Sequence, residues 1–225
     1  MSEALPSEVF DAAGLNRQHV FALAGLPADI RESLGDCQPY RQLILLGHAG
    51  RRLWECVKAT GLHGENPIDD YVITTVNRNF RDILPGTAYR ILYPATQDIR
   101  LQALGQLAGW HSPSPFMVGI DPEWGSWFAY RAVVLADTDF APSRPIDRRN
   151  PCSECHDKPC IRACPPGALA TGKLALDTCS AWRRSEASPC AHTCLARLAC
   201  PIGTAHRYDA DQMRHSYARS LCFIK

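Results

Sequence analysis

The stretch C-S-E-C-H-D-K-P-C-I-R-A-C-P, Cys152 to Pro165, sets four cysteines at intervals of two, four and three residues and closes on a Cys-Pro pair. A second set follows, Cys179, Cys190, Cys194 and Cys200, with intervals of ten, three and five residues, and it too ends on a proline, Pro201. Short cysteine spacings of this kind let several thiolates reach one inorganic cluster across a tight loop. The proline after each terminal cysteine turns the chain away, and Gly167 permits a bend where a side chain would crowd. Eight thiolates suffice for two [4Fe–4S] clusters. Zinc sites draw on paired short loops rather than two terminal Cys-Pro units. Disulfides belong to oxidising compartments. The iron–sulfur reading is preferred to both.

Working outward, Cys37, Cys56 and Cys222 lie outside the pattern and read as ordinary buried cysteines. His156 and His192 neighbour ligand-type cysteines, where a histidine more often gives a hydrogen bond or faces solvent than replaces a thiolate. The charge is lopsided. Residues 1–140 hold 11 Lys/Arg against 16 Asp/Glu, and residues 141–225 hold 13 against 7. A basic tail can signal nucleic acid, but these arginines are scattered among cysteines without an aromatic stacking pattern, so no nucleic-acid partner is expected. Two clusters, each of charge about −2 with its thiolates, offset much of the excess.

No apolar run approaches the roughly 20 residues of a membrane span. The start MSEALPSEVF lacks the basic end and apolar stretch of a secretory signal. A cytoplasmic protein without a membrane partner is therefore expected, and in that compartment 11 cysteines point to metal or redox chemistry. No G-x-G-x-x-G, P-loop or H-E-x-x-H motif marks nicotinamide, nucleotide or zinc chemistry.

The cysteines divide the chain into an expected first domain (1–140), a Pro- and Arg-rich linker (141–151) and an iron–sulfur module (152–225). The first part mixes helix and strand signals. Residues 15–24 and 28–34 read as helices, Gln42 to Leu46 as a buried strand and Arg51 to Ala59 as a helix. Asn66 and Pro67 open a helix that carries Ile68, Tyr71, Val72, Val76, Phe80, Ile83 and Leu84 at helical spacing. Thr87 to Tyr93 reads as a strand, and Thr96 as the cap of a helix to Gly109. Phe116 to Ile120 and Ser126 to Leu135 read as a β-hairpin joined by Asp121 to Gly125. The fold class is α/β (α+β).

Three resemblances extend this reading. The first cysteine run is similar to that of bacterial ferredoxins, whose two-cluster forms cross-ligate. That implies one cluster on Cys152, Cys155, Cys160 and Cys200 and another on Cys164, Cys179, Cys190 and Cys194. The segment G-I-D-P-E-W-G-S-W-F-A-Y-R-A-V-V-L-A-D, Gly119 to Asp137, resembles CblC-type cobalamin-processing proteins, as do Asn66 to Tyr71 and the helix around Ile99 to Trp110. The order of parts resembles epoxyqueuosine reductase: E-W-G-S-W-F at Glu123 to Phe128, a proline-rich connector, then the cysteines and P-P-G-A-L at Pro165 to Leu169.

These resemblances imply a nitroreductase-like core, a bacterial-ferredoxin-like two-cluster module, and a cobalamin on the first part. Trp124, Gly125, Ser126, Trp127 and Phe128 would then lie nearest the corrinoid; read from pattern alone, Trp127, Phe128 and Tyr130 are hairpin packing. A flavin is the weaker alternative, since nothing marks its phosphate site.

This sequence departs from epoxyqueuosine reductase at the four-residue interval before Cys160 and at Arg90 to Arg100, which lacks the family's acidic catalytic motif. It also stops at Lys225 without a helical-repeat extension for transfer RNA, so a queuosine substrate is not expected. Three functions stay open. They are a cobalamin-dependent reductase fed by a ferredoxin- or flavodoxin-type donor, a ferredoxin-like carrier without corrinoid, and a cobalamin chaperone. Asp98, Asp121 and Glu123 are available carboxylates, with solvated loop or helix-end positions the default for each.

Overall fold

The computed structural model describes residues 4–61, 64–95, 97–146 and 149–223, with 222 and 223 described by their backbone alone. The chain forms two compact units: Met1–Gly109 with Phe128–Ile146, and Trp110–Trp127 with Asp147–Lys225. The partition differs from the one expected, because Trp110–Trp127 packs in the unit that holds the cysteines.

The first unit contains α1 (Ser7–Ala12), β1 (Arg17–Ala22), α2 (Ala28–Ser33), β2 (Gln42–Ala49), α3 (Arg52–Ala59), α4 (Pro67–Asp82), β3 (Tyr89–Tyr93), α5 (Leu101–Leu107) and β4 (Phe128–Ala136). Its four strands form one antiparallel sheet in the order β1-β2-β4-β3. This is a mixed fold of the α+β kind. β2 is buried at all eight positions, which is why Q-L-I-L-L reads as a continuous apolar run rather than an alternating one. One face of the sheet, with Val20, Ile44, Leu46, Ala132, Val134 and Ala136, joins Leu53, Trp54 and Val57 of α3 in the main core. Pro67 starts α4, and Ile68, Val72, Val76 and Phe80 at four-residue spacing bury one stripe of it in the same core.

Several expectations are corrected. Residues 15–24 contain a strand, not a helix. Gly14 has φ +80°, and a Cβ there would stand 2.5 Å from the Leu53 Cα, so the chain breaks at that point and β1 pairs with β2 from Arg17↔Gly47 to Ala22↔Gln42. Sheet pairing overrides a weak local preference in a run this short. The helix expected to run to Gly109 is confined to α5; Arg100 has ψ 63°, outside the helical range, and Thr96 lies outside the described residues. Ile83 falls at the C-cap of α4 and is 40% exposed.

The Phe116–Ile120 hairpin does not form. Met117 takes a left-handed φ of 63°, which no extended strand accommodates, and β4 pairs instead with β2 and β3. Residues 112–125 are a loop pinned by two isolated bridges, Ser112↔Ile120 and Asp121↔Gly125.

The second unit is built of short helices: α6 (Pro151–Glu154), α7 (Pro159–Arg162), α8 (Leu176–Arg184), α9 (Leu195–Ala199) and the longer α10 (Ala210–Phe223). One small core gathers Phe116, Cys160, Leu169 and Ala196, and another gathers Trp127, Tyr208 and Met213. No described helix is long and apolar enough to cross a membrane.

Candidate cluster sites

Local chain geometry carries the first cysteines to one place. Asn150 accepts the Cys152 N–H on its side-chain oxygen at 2.9 Å and Pro151 occupies the first helical position, so α6 begins at the first thiol. Lys158 is left-handed (φ 38°), which reverses the chain between Cys155 and Pro159. α7 then holds Cys160, and Cys164 follows it across one turn. Gly167 has φ +68° and donates its N–H to the Cys164 carbonyl at 3.0 Å, which is the bend expected there.

The five-residue helix α9 does for the second set what α7 does for the first. Cys194 is its N-cap, with Sγ accepting the Arg197 N–H at 3.4 Å, and Cys200 is its C-cap. Cys160 and Cys164 thus point to different places from the two ends of one turn, and so do Cys194 and Cys200.

Two cavities result. The first is lined by Cys152, Cys155, Cys160 and Cys200 with an apolar wall that includes Phe116, Ile120, Pro159 and Ile202. The second is lined by Cys164, Cys179, Cys190 and Cys194, walled by Leu169, Leu174, Trp182 and Tyr217. Among the described residues, no group of three or more His, Cys, Asp or Glu is close enough to hold a single metal ion. One ion draws its thiolates to about 2.3 Å from one point. A four-iron cluster takes one thiolate at each iron, so its ligands line a wall, and the donor sets present fit that group.

Electrostatics sort the thiols the same way. Burial pushes Cys152 up to about 11, with Cys200, Cys160 and Cys155 adding to the effect. Burial followed by Cys200 raises Cys160. In the second set, burial followed by Cys194 raises Cys179, and burial also raises Cys194, with Cys190 adding to it. Each of these four thiols therefore feels members of its own set. Thiols held neutral in this way must release their protons to bind metal, so loading is favoured by rising pH.

His156 and His192 are exposed and line neither cavity. Cys37 and Cys56 are half-buried and lie outside both, while the side chain of Cys222 is outside the described residues.

The residues expected nearest a corrinoid have protein neighbours. Ser126 and Trp127 are fully buried and present no surface to a macrocycle. Trp127 packs on Tyr208 and Met213 instead. Gly125 does allow a close backbone approach, but the partner is protein: a Cβ there would stand 2.2 Å from the Ile202 carbonyl. Trp124 meets His206 with ring centroids 4.2 Å apart and the planes tilted by 41°. Phe128 begins β4 in the other unit, beneath the Arg17 guanidinium at 5.3 Å. Asp121 departs from its solvated default: it is fully buried, and Oδ1 accepts the N–H groups of Glu123 and Trp124 at 2.8 and 3.0 Å.

Three residues were not anticipated. Arg197 is buried with its guanidinium 4.3 Å from the Trp127 ring and 5.0 Å from Tyr208, and its Nε donates to Ser126 Oγ at 3.0 Å. Arg183, also buried, donates to the Cys190 carbonyl at 3.2 Å and the Tyr217 carbonyl at 2.8 Å. Tyr217 lines the second cavity and packs against the cluster of Trp127, Tyr208 and Met213. The only sign of Arg197 in the sequence is its place three residues after Cys194.

No protein-family model and no curated protein matches the chain. Solved structures do. Epoxyqueuosine reductase from Bacillus subtilis matches over 90% of this chain and 66% of its own, at 15% identity and a TM-score of 0.54. The catabolic reductive dehalogenase NpRdhA, bound to 3-bromo-4-hydroxybenzoic acid, matches over 92% of this chain and 32% of its own, at 15% identity and a TM-score of 0.57. A reductive dehalogenase structure interpreted as B12-dependent matches over the same shares, at 15% identity and a TM-score of 0.51. The fold is one these reductases share. This chain spans about two thirds of the epoxyqueuosine reductase and about a third of the dehalogenases. The likeness to epoxyqueuosine reductase expected from Glu123 to Phe128 holds for the fold, although that segment is a loop leading into a strand rather than a hairpin.

Proposed function

We propose that this protein is an iron–sulfur redox protein of the cobalamin-dependent reductase type. In this reading Cys152, Cys155, Cys160 and Cys200 hold one [4Fe–4S] cluster and Cys164, Cys179, Cys190 and Cys194 a second, and a cobalamin is the electron acceptor. The observation that carries it is the sorting of eight thiols into two separate cavities, four to each. The cobalamin rests on the fold shared with a dehalogenase interpreted as B12-dependent.

When bound, the clusters supply one-electron transfer and the cobalamin a reducible metal centre. The chain's own residues fix the rest. Asn150, Pro151 and Pro159 set the loops that aim the first thiols. Phe116, Ile120 and Ile202 keep water from the first cavity, as Leu169 and Leu174 do in the second. Lys158 and Arg162 are exposed beside Cys160 and offer positive charge to an acidic one-electron donor of ferredoxin or flavodoxin type.

One observation favours a second reading, a ferredoxin-like carrier without corrinoid: the burial of Ser126 and Trp127 removes the expected pocket floor. Titrating the anaerobically purified protein with cob(II)alamin separates the two. A shifted corrinoid spectrum at stoichiometric addition supports the reductase. A spectrum identical to free cob(II)alamin leaves the carrier.

A further inference from the structure

Of the segment W-G-S-W, Trp124 to Trp127, the part of the sequence most suggestive of a cofactor site, Ser126 and Trp127 are fully buried and turned toward Arg197. A charged side chain taken out of water needs strong compensation. Arg197 finds it in two contacts from Ser126, where Oγ and the carbonyl accept Nε and Nη2, and in the faces of Trp127 and Tyr208. Such an expensive arrangement holds one positive charge in a fixed place. That place adjoins the second thiol set: the Arg197 backbone N–H reaches Cys194 Sγ at 3.4 Å, and Tyr217, packed against the cluster of Trp127 and Tyr208, lines the second cavity.

We propose that Ser126 and Trp127 clamp Arg197 so that its charge, held next to the wall of the second cavity, raises the reduction potential of the second cluster site selectively. The inference rests on the two-cluster reading above. Its physical basis is that hydrogen bonds to ligand sulfurs and nearby charge set such potentials. A fixed guanidinium favours the state carrying one more electron. The arginine stays protonated throughout, so one electron from an external donor is taken up, no proton moves, and no bond forms or breaks.

The first set has cations of a different kind: Lys158 is exposed and Arg207 half-buried, so solvent and salt weaken both. Arg183, buried beside Cys179, adds to the second site without touching the clamp. Arg197 is thus a positioning residue for electron transfer, and Ser126 acts through it.

The test is a dithionite titration with redox mediators, followed by electron paramagnetic resonance, on anaerobically purified protein; Cys179→Ser identifies the signal of the second site. Arg197→Gln is expected to shift the second midpoint negative by about 59 mV or more, a tenfold change in the one-electron equilibrium, with the first unchanged. Arg197→Lys is expected to recover most of the shift, and Ser126→Ala to give a smaller negative one. If Arg197→Gln does not fold, Ser126→Ala, which removes one of the clamp's contacts and keeps the charge, is expected to shift the same midpoint negative at unchanged iron content. Equal midpoints in wild type and variant, equal shifts at both sites, or a Lys variant as displaced as the Gln variant overturn the proposal. Wild-type protein with far fewer than about eight irons per chain overturns the two-cluster reading instead.

Discussion

Gly125 and Gly203 meet backbone to backbone: a Cβ on Gly203 would stand 2.4 Å from the Gly125 nitrogen, and one on Gly125 would stand 2.2 Å from the Ile202 carbonyl oxygen. Both glycines are left-handed, at φ +60° and +66°. The contact brings Trp124 and Gly125 against the turn after Cys200, and so ties the W-G-S-W segment to the first thiol set.

Gly125→Ala combines backbone strain with this crowding. Gly172, in the same unit, has φ +79° and open space around its Cβ position. Gly172→Ala is expected to cost about 1–2 kcal/mol from strain alone, and Gly125→Ala clearly more. Thermal unfolding of the two variants side by side checks this; equal losses contradict the close approach.

The proposed crossed ligation predicts that Cys200→Ser and Cys164→Ser are opposite in effect. Cys200→Ser is expected to damage the cluster site of Cys152, Cys155 and Cys160 and to spare the other. Cys164→Ser is expected to damage the site of Cys179, Cys190 and Cys194. Iron content with low-temperature spectra of each variant reads this out. The reverse pattern means that each run of cysteines serves its own cluster.

How much of this was legible depends on the residue. β2 and α4 could be read directly, because a fully buried strand writes an unbroken apolar run and a helix packed on one side writes a four-residue repeat. β1 could not: in R-Q-H-V-F-A the buried positions include Arg17 and His19, whose polarity conceals the strand. The false hairpin arose because Phe116 to Ile120 has strand-forming residues, while Met117 sits in a local turn, its N–H on the Ser114 carbonyl at 3.3 Å and Ser114 Oγ on the Val118 carbonyl at 2.6 Å. Cysteine spacing exposed the eight thiols, since short intervals between residues of one rare type are visible without knowing the fold. Arg197 stayed hidden because a buried arginine and a solvated one look alike until Ser126, Trp127 and Tyr208 are seen around it.

Leu46 sits 1% exposed in the main core on β2. Leu46→Ala is expected to cost about 2–5 kcal/mol, as large-to-small core changes do. A shift in the urea midpoint of the first unit measures it, and a loss below about 1 kcal/mol contradicts the packing.

Burial lowers His19 from its ordinary value of 6.5 to about 4. The unfolded chain therefore binds a proton in this window that the folded chain refuses, and stability rises with pH there. The contribution is complete above pH 6.5 and is lost as the pH falls toward 4. His111, lowered by burial as well, adds to the same slope. Urea midpoints at pH 7 and pH 5 are expected to differ less in His19→Gln than in the wild type. Equal differences contradict the assignment.

Iron, acid-labile sulfide and zinc, measured on one anaerobically purified sample of the full chain, test the central claim most directly. Two [4Fe–4S] clusters predict about eight irons and about eight sulfides per chain, with zinc far below one. About two zinc ions without sulfide contradict the account, and about four irons with four sulfides contradict the second cluster.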